Sequence, residues 1–251
     1  MHKMLNRSSR YQEEISYLIK IILQVRQDHP RMCCRDMYYR INPQYIGRDR
    51  FEALCKQYGF EVGIRRSFTR TTDSRGVIRF PNLIDRLTVQ RIDQVWSSDI
   101  TYFDLKGVFY YITFIIDHYS RRILGYSVSS RLQTEYTTLP ALIMAIRIRG
   151  VIPQGIIFHS DGGGQYYDRQ FLNLTSRYKF KNSMCEMAYE NGKSERLNGI
   201  IKNNYLRPWN ISTLGELTQA VDRAVRLYNT EKPHSGLGRK TPCAFEMNCL
   251  N

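Results

Sequence analysis

The sequence predicts an α/β protein with a mixed five-stranded sheet and flanking helices, preceded by a small all-helical module. Three observations support this prediction: apolar residues at helical spacing up to Tyr58, a change to β-forming residues from Val95, and strands that then alternate with helices. We expect residues 1–64 to form the helical module, 65–92 a basic linker, and 93–251 the α/β core with a C-terminal helical extension.

The front of the chain contains three segments with an apolar stripe of helical period, which end at Pro30, at Asn42-Pro43 and at Gly59. Three short helices with a break before the third are typical of a helix-turn-helix module that binds DNA. An ordinary three-helix bundle with solvated arginines is the alternative. The candidate DNA contacts lie on or near the third helix and are Arg48, Arg50 and Lys56.

The charge of the chain favours a polyanionic partner. The formal net charge is +14 over 251 residues, a field that attracts nucleic acid. Residues 1–84 hold 16 Lys and Arg against 8 Asp and Glu, whereas residues 92–210 hold 14 against 10. A basic front module joined to a more balanced body fits a DNA-holding part attached to a catalytic part. The Arg-rich linker either follows phosphates or is a passive tether.

The six cysteines indicate a reducing compartment. No pair of them has CxxC spacing, and no His–Cys set has the spacing of a zinc finger. The N-terminus shows no apolar signal segment, and no apolar run is long enough to span a membrane. We therefore expect reduced thiols, a cytoplasmic protein and no membrane partner.

Residues from Val95 onward read as three strands, a helix, a strand, a helix, a strand and two helices. The first three strands are separated by short gaps that suit antiparallel hairpins. The fourth is a short apolar run that stops at Asp161. This order of elements resembles the ribonuclease-H-like α/β fold.

Three acids of this core could meet. Asp99 lies inside an apolar strand, Asp161 ends the fourth strand, and Glu195 lies on the helix after the fifth. Glu195 and Lys202 are seven residues apart, so they share one helix face. Carboxylates from two strands and a helix suit Mg²⁺, which keeps waters and substrate phosphate as further ligands. The alternatives are a turn residue at Asp161 and a solvated helix face at Glu195.

The loop after the fourth strand is the segment "DGGGQYYD" from Asp161 to Asp168. Its glycines allow a substrate to approach the backbone closely. Gln165 and Tyr166 are candidate contacts to DNA, through the sugar-phosphate backbone or by stacking on a base. Lys202 could hold a phosphate as a point charge.

Five segments carry a resemblance to a known family. In chain order they are "WSSDITYF", "IIDHYSRRILGYSV", "HSDGGGQY", "SMCEMAYENGKSERLNGIIK" and "YNTEKPHSGLGRKTP". They resemble the successive blocks of integrase-type DDE transposases, the OrfB-like proteins of bacterial insertion sequences, which are related to retroviral integrases. The resemblance covers about residues 80–245, and the front helices are similar to the helix-turn-helix module of that group.

The resemblance implies that Asp99, Asp161 and Glu195 are the catalytic and metal-binding triad, with two Mg²⁺ or Mn²⁺ ions per site. It implies cleavage of DNA and transfer of the freed 3′-hydroxyl to target DNA, with no covalent enzyme–DNA intermediate. Thirty-three residues separate Asp161 from Glu195, slightly fewer than is usual in the family. Glu190 and Glu186 are therefore the alternatives for the third acid.

The implied partners are the terminal repeats of the element, target DNA and further copies of the chain. An upstream-frame product, fused or associated, is a further partner that the family suggests. Asp117 also recurs in the family pattern, and we interpret it as structural. Two other functions stay open: a DNA-binding regulator or inactive transposase relic, and a ribonuclease-H-like nuclease that acts on RNA–DNA hybrids.

Overall fold

The computed structural model describes residues 2–63, 80–185 and 191–250. The front of the chain forms three helices, α1 (His2–Asp28), α2 (Cys34–Ile41) and α3 (Arg48–Gln57). Their apolar stripes meet in a core in which Ile22, Met37 and Phe51 are fully buried. The expectation that the front of the chain is all-helical is confirmed, and its bounds as a separate module stay a prediction.

The core contains one mixed sheet of five strands in the order β3-β2-β1-β4-β5. The first three strands are antiparallel neighbours, whereas β4 runs parallel to β1 and β5 parallel to β4. Lys106 and Gly107, both at positive φ, form the tight turn between the first two strands. The strands are β1 (Val95–Leu105), β2 (Val108–Asp117), β3 (Ile123–Ser129), β4 (Ile157–Ser160) and β5 (Lys181–Met184).

Helices cover both faces of this sheet because its central strands are apolar on both sides. Along β2, Ile112 and Phe114 pack towards one side of the sheet, and Ile115 packs towards the other. The helices of the core are α4 (Thr138–Arg149), α5 (Arg169–Arg177), α6 (Gly192–Ile201), α7 (Leu214–Thr230) and α8 (Pro242–Leu250). The sequence predicted this order of elements. The last helix, α8, lies in the expected C-terminal helical extension.

The approach of α4 to the sheet depends on one glycine. A Cβ atom at Gly125 of β3 would clash with the carbonyl oxygen of Ala141 in α4. The absence of a side chain therefore lets the helix backbone lie against the strand. This contact helps to bury Leu124 and Leu142 completely.

A buried group of charges joins α8 to the core, and we call it the Arg149 cluster. Its acids are Asp93, Asp117 and Glu246, and its bases are Arg149 and Arg122. Arg149 lies 2.6 Å from Glu246 and 2.8 Å from Asp93, and Arg122 lies 2.7 Å from Glu246. The cluster holds the last helix against the end of α4 and the start of β1.

The helical module is docked on the core by polar contacts. The Nδ1 atom of His29 lies 3.1 Å from the hydroxyl of Tyr205, and its Nε2 atom lies 3.2 Å from Glu231. Asp36 in α2 is 2.8 Å from Lys232, just after α7. The expected linker 65–92 lies in part outside the described residues. Its last part contacts the sheet, since the amide of Leu83 donates to the Ser183 hydroxyl at 2.9 Å.

Two further expectations concern the whole chain. All six cysteines are free in the structure, and Cys55 is buried. Within the described segments, no helix is both long enough and apolar enough to cross a membrane.

Candidate active site

The register of the parallel strands β1 and β4 brings two of the candidate acids together. β1 and β4 pair with Ser97 opposite His159. Continuing that register by two residues sets Asp99 beside Asp161, on strands about 4.8 Å apart. Both side chains are half-buried. A carboxylate that ends β4 therefore lies next to a carboxylate inside β1.

The third acid is brought to this edge by a row of hydrogen bonds between β1 and α6, which we call the strand–helix ladder. Its three contacts are Ser97 Oγ to Ser194 Oγ at 2.7 Å, Asn198 Nδ2 to Asp99 Oδ2 at 2.7 Å, and Lys202 Nζ to Thr101 Oγ1 at 2.6 Å. The contacting residues of the strand are two positions apart in the sequence. Their partners on the helix side are four positions apart.

The two spacings match because two strand residues rise about 6.6 Å and four helical residues about 6 Å. Glu195 lies within the ladder, one residue after Ser194 and three before Asn198. It is consequently held at the same edge of the sheet as Asp99.

The charges of these acids act on one another. Burial raises the pKa of Asp99 to about 7, and the negative charges of Asp161 and then Glu195 add to that rise. Burial also raises the pKa of Asp161. Within residues 2–63, 80–185 and 191–250, no Lys, Arg or His forms an ion pair with any of the three acids. The described residues thus leave the three acids without an ion pair, and the nearest cation is felt only at a distance: the charge of Asp99 partly offsets the fall in the pKa of Lys202 that burial causes.

Such a donor set fits a divalent cation that prefers oxygen ligands. Carboxylates from two strands and one helix supply those oxygens, and the buried Oδ1 atom of Asn198 has no hydrogen-bond partner. Among the described residues, however, no three His, Cys, Asp or Glu side chains are close enough together to hold one metal ion. In this structure the three acids therefore do not form a closed metal-binding group, and their role as ligands stays a prediction.

The glycine loop after β4 supports Asp161. The amide of Gly163 donates to Asp161 Oδ1 at 3.1 Å. Gly162 has φ +78°, and a Cβ atom there would also clash with the Met184 side chain. Asp161 therefore accepts a hydrogen bond from its own turn and also lies beside Asp99, and its role as a metal ligand stays a prediction.

The expectation that Tyr166 stacks on a base is wrong. The Tyr166 ring packs among Phe158 and Phe171, and its hydroxyl donates to Ser98 at 2.9 Å. Only 3% of the residue is exposed, so its face is not available to DNA. Gln165 next to it is partly exposed and remains a candidate contact.

The DNA contacts predicted for Lys202 and for the three basic residues of α3 stay predictions. Lys202 lies over the ring of Tyr102 at 5.6 Å, in addition to its ladder contact. Arg48, Arg50 and Lys56 are all exposed on α3. Arg48 is 2.7 Å from Asp49, which occupies part of its hydrogen-bonding capacity.

Several residues that orient the site were not identified from the sequence. Ser97 and Ser194 form the first contact of the ladder, and His118 Nε2 lies 2.7 Å from Ser97 Oγ. The matching periods of two in the strand and four in the helix are the signal that could have revealed them. The hydrogen bond from Asn198 to Asp99 was not foreseen either.

Asp117 has the structural role that we predicted for it. It accepts hydrogen bonds from the amides of Asp93, Tyr119 and Ser120 at 2.7 to 2.9 Å. It thus organises the turn after β2 within the Arg149 cluster. The alternatives for the third acid, Glu186 and Glu190, lie outside the described residues.

The five-stranded mixed sheet, with acids where β1 and β4 adjoin, defines a ribonuclease-H-like integrase core. Comparison with known proteins agrees: two families described as Integrase core domain match residues 90–189 and 176–242. The HTLV-2 integrase catalytic core domain in complex with magnesium is similar in fold, with a TM-score of 0.50 and 22% identity over 66% of this chain and 97% of that one.

Two curated relatives come from Shigella sonnei. The insertion element IS600 31 kDa protein is 32% identical over 80% of this chain and 75% of its own length. The transposase for insertion sequence element IS629 is 31% identical over 80% of this chain and 68% of its own length. The chain belongs to the integrase-core transposases of insertion sequences, as the sequence motifs predicted.

Proposed function

We propose that this transposase cleaves DNA at the ends of its insertion sequence and joins the freed 3′-hydroxyl to target DNA, using Mg²⁺ or Mn²⁺. In the joining step the 3′-hydroxyl oxygen attacks a target phosphodiester, one phosphorus–oxygen bond forms, and one breaks to leave a new 3′-hydroxyl. Asp99, Asp161 and Glu195 are the proposed catalytic residues. The observation that carries the proposal is the strand–helix ladder, which brings Glu195 to the same edge as two unneutralised carboxylates.

The three carboxylates would hold the cation. Two divalent ions supply activation of the attacking oxygen and stabilisation of the leaving oxygen in phosphodiester displacement. The presence of magnesium in the HTLV-2 integrase core, which has the same fold, is consistent with this choice.

The protein groups around the triad have separate roles. Asn198 donates to Asp99 Oδ2 and so fixes the direction of that carboxylate. The glycine loop allows the scissile strand to come close to Asp161. Lys202, one turn beyond Asn198, would contact a phosphate from the same helix face.

The test is strand transfer from a pre-cleaved oligonucleotide end into plasmid DNA, comparing wild type with Glu195→Gln. Joining by the wild type, with a loss of at least about a hundredfold in the variant, is expected for a group that stabilises charge in the transition state. Glu135→Gln is the matched control, because Glu135 is an exposed acid of the same core with no role in the site.

Other outcomes select the alternatives. Joining that survives in Glu195→Gln would transfer the role to Glu190 or Glu186. Wild-type protein that binds DNA but never joins it would favour a regulator, a relic or a missing upstream-frame partner. Cutting of RNA–DNA hybrids without joining would favour a nuclease.

The partners follow from the reaction. Paired element ends require at least two copies of the chain on DNA, so we propose a homo-oligomer that forms on the terminal repeats. Light scattering with and without terminal-repeat DNA tests this, and a complex that stays at one chain per DNA end would contradict it.

A further inference from the structure

A cavity of about 330 Å³ lies beside α6, away from the strand–helix ladder. Its wall combines the first turns of α6, the turn after β2, the segment that follows α7 and one residue of α2. The segment after α7 belongs to the sequence block "YNTEKPHSGLG", to which the proposed strand-transfer chemistry assigns no role.

The cavity is lined by four basic side chains and one acid. The basic residues are Arg121, Lys193, Arg196 and Lys232, and the acid is Asp36. Asp36 is already paired with Lys232 at 2.8 Å and with Arg239 at 3.1 Å. In the described part of the chain, the other three bases have no carboxylate partner. Burial, and then the charge of Arg121, lower the pKa of Lys193, so these cations are close enough to repel one another.

A buried polar atom on the same wall also lacks a partner. His234 lines the cavity and is only 6% exposed, and its Nε2 atom has no hydrogen bond among the described residues. The ring is fixed edge-on against Tyr228, with 4.7 Å between the ring centres. Burial, with Lys232 and Arg121 nearby, lowers the pKa of His234 to about 3. The neutral ring has one N–H to donate.

Two backbone features make the cavity more favourable for an anion. Gly192 and Lys193, at the start of the ten-residue helix α6, form part of the wall. The side chain of the N-cap residue Asn191 does not cap this helix, because it donates to the carbonyl of Ser98 at 3.1 Å. The N-terminal end of the helix dipole therefore adds positive potential there. Gly236 leaves room for the Arg121 guanidinium, which a Cβ atom at that position would clash with.

Cations without a carboxylate partner, a buried unpartnered imidazole and a helix N-terminus lie together on one cavity wall, and such a combination attracts a phosphate group. The ammonium of Lys193 also donates to the carbonyl of His118 at 3.0 Å, which holds it on this wall. We propose, on the basis of the proposed function, that this cavity binds a phosphate of a DNA strand, at a position separate from the triad but on the same helix. Arg196 follows Glu195 directly, so the two residues point about 100° apart around α6.

The test measures binding without any divalent cation, so it does not depend on strand-transfer activity. The affinity for a short DNA duplex is measured by fluorescence anisotropy at several salt concentrations for wild type and Arg196→Gln. Loss of one phosphate contact is expected to make the slope of log K against log salt concentration less steep by about one. Arg177→Gln is the control, since Arg177 is exposed at the end of α5 and this variant removes the same charge away from the cavity, the triad and the linker; its slope should stay at the wild-type value.

A second arm distinguishes DNA from free phosphate. Inorganic phosphate is titrated into wild type, Arg196→Gln and Lys193→Gln, and the His234 imidazole resonances are followed by NMR. Saturable shifts in the wild type alone, with an unchanged DNA slope in Arg196→Gln, would overturn the assignment to DNA and indicate a free phosphate compound as the ligand. No shift in the wild type, together with an unchanged DNA slope in Arg196→Gln, would overturn the phosphate site itself. If the variants fail to fold, the wild-type titration alone decides whether the cavity binds phosphate.

Discussion

Two groups of acids lie along β1, one at its start and one near its middle, and they differ in how their charge is balanced. The Arg149 cluster contains Asp93, Asp117 and Glu246 with two arginines among them. The candidate site contains Asp99, Asp161 and Glu195, and no cation of the described residues pairs with them. The first group joins α8 to the core, whereas in the second the charges of Asp161 and Glu195 raise the pKa of Asp99. The two groups therefore differ in how their charges are paired and not in the number of their acids.

The largest expected effect is that of removing the cation from the balanced cluster. Arg149→Gln leaves three buried acids with one arginine, and breaking a buried pair in this way costs about 3–5 kcal/mol in the free energy of unfolding. Urea denaturation measures that free energy. Arg147→Gln, on an exposed position of the same helix, should change it by less than about 0.5 kcal/mol. Equal stabilities for the two variants would mean that the cluster contributes nothing.

A smaller effect is expected in the pH dependence of stability. Burial alone would raise the pKa of Glu246, but hydrogen bonds from Arg149, Ser120 and Arg122 outweigh it and hold the pKa below its ordinary 4.5. A lowered pKa gives stability that is complete above pH 4.5 and is lost as the pH falls through the folded-state pKa. Thermal midpoints of wild type should therefore fall below pH 4.5.

Glu246→Gln checks this assignment. The variant should be less stable at neutral pH and should lose less stability on acidification than the wild type. Burial raises the pKa of Asp117 in the same cluster, which acts in the opposite sense. The difference between the thermal midpoints of the two proteins, followed as the pH falls, isolates the contribution of Glu246. Midpoints that fall in parallel below pH 4.5 would show that this residue does not cause the loss of stability.

The smallest expected effect has the opposite sign. Asp161→Asn removes one of the unneutralised charges and keeps an oxygen that can accept from Gly163. Without metal it should raise the free energy of unfolding by about 0.5–2 kcal/mol. Mg²⁺ should raise the melting temperature of the wild type and leave that of the variant unchanged.

Asp168→Asn is the matched control for that measurement. Asp168 is the N-cap of α5 and accepts from the amide of Gln170, a role that Asn fills equally well. This variant should keep the response to Mg²⁺. A stabilisation by Mg²⁺ that is the same in all three proteins would place the cation elsewhere.

The order of helices and strands could be predicted from the sequence because each element is set by local periodicity. The stops at Gly59 and Gly150 and the hairpin turn at Lys106-Gly107 are local signals of the same kind. Asp99 could be singled out because a charge inside an apolar strand needs a partner. The strand register then supplies the neighbour, which a sequence alone does not specify.

The features that were missed depend on contacts between distant parts of the chain. His29 and Tyr205 are 176 positions apart, so no local pattern indicates that the helical module docks on the core. Tyr166 lies in a polar, glycine-rich segment, yet its ring completes an aromatic core. Glu246 lies on a short helix whose apolar pattern gives no sign of a buried acid. In each case tertiary packing overrides the local composition.

The strand–helix ladder also works as a vernier, in which two scales of slightly different spacing coincide over a short length. Its strand steps of about 6.6 Å and helix steps of about 6 Å drift apart beyond three contacts. In the observed alignment a neutral amide, that of Asn198, faces Asp99. Displacing α6 by one step would set the ammonium of Lys202 there instead and cancel the charge. The alignment of one helix against one strand thus decides whether the centre carries the negative charge that a cation needs.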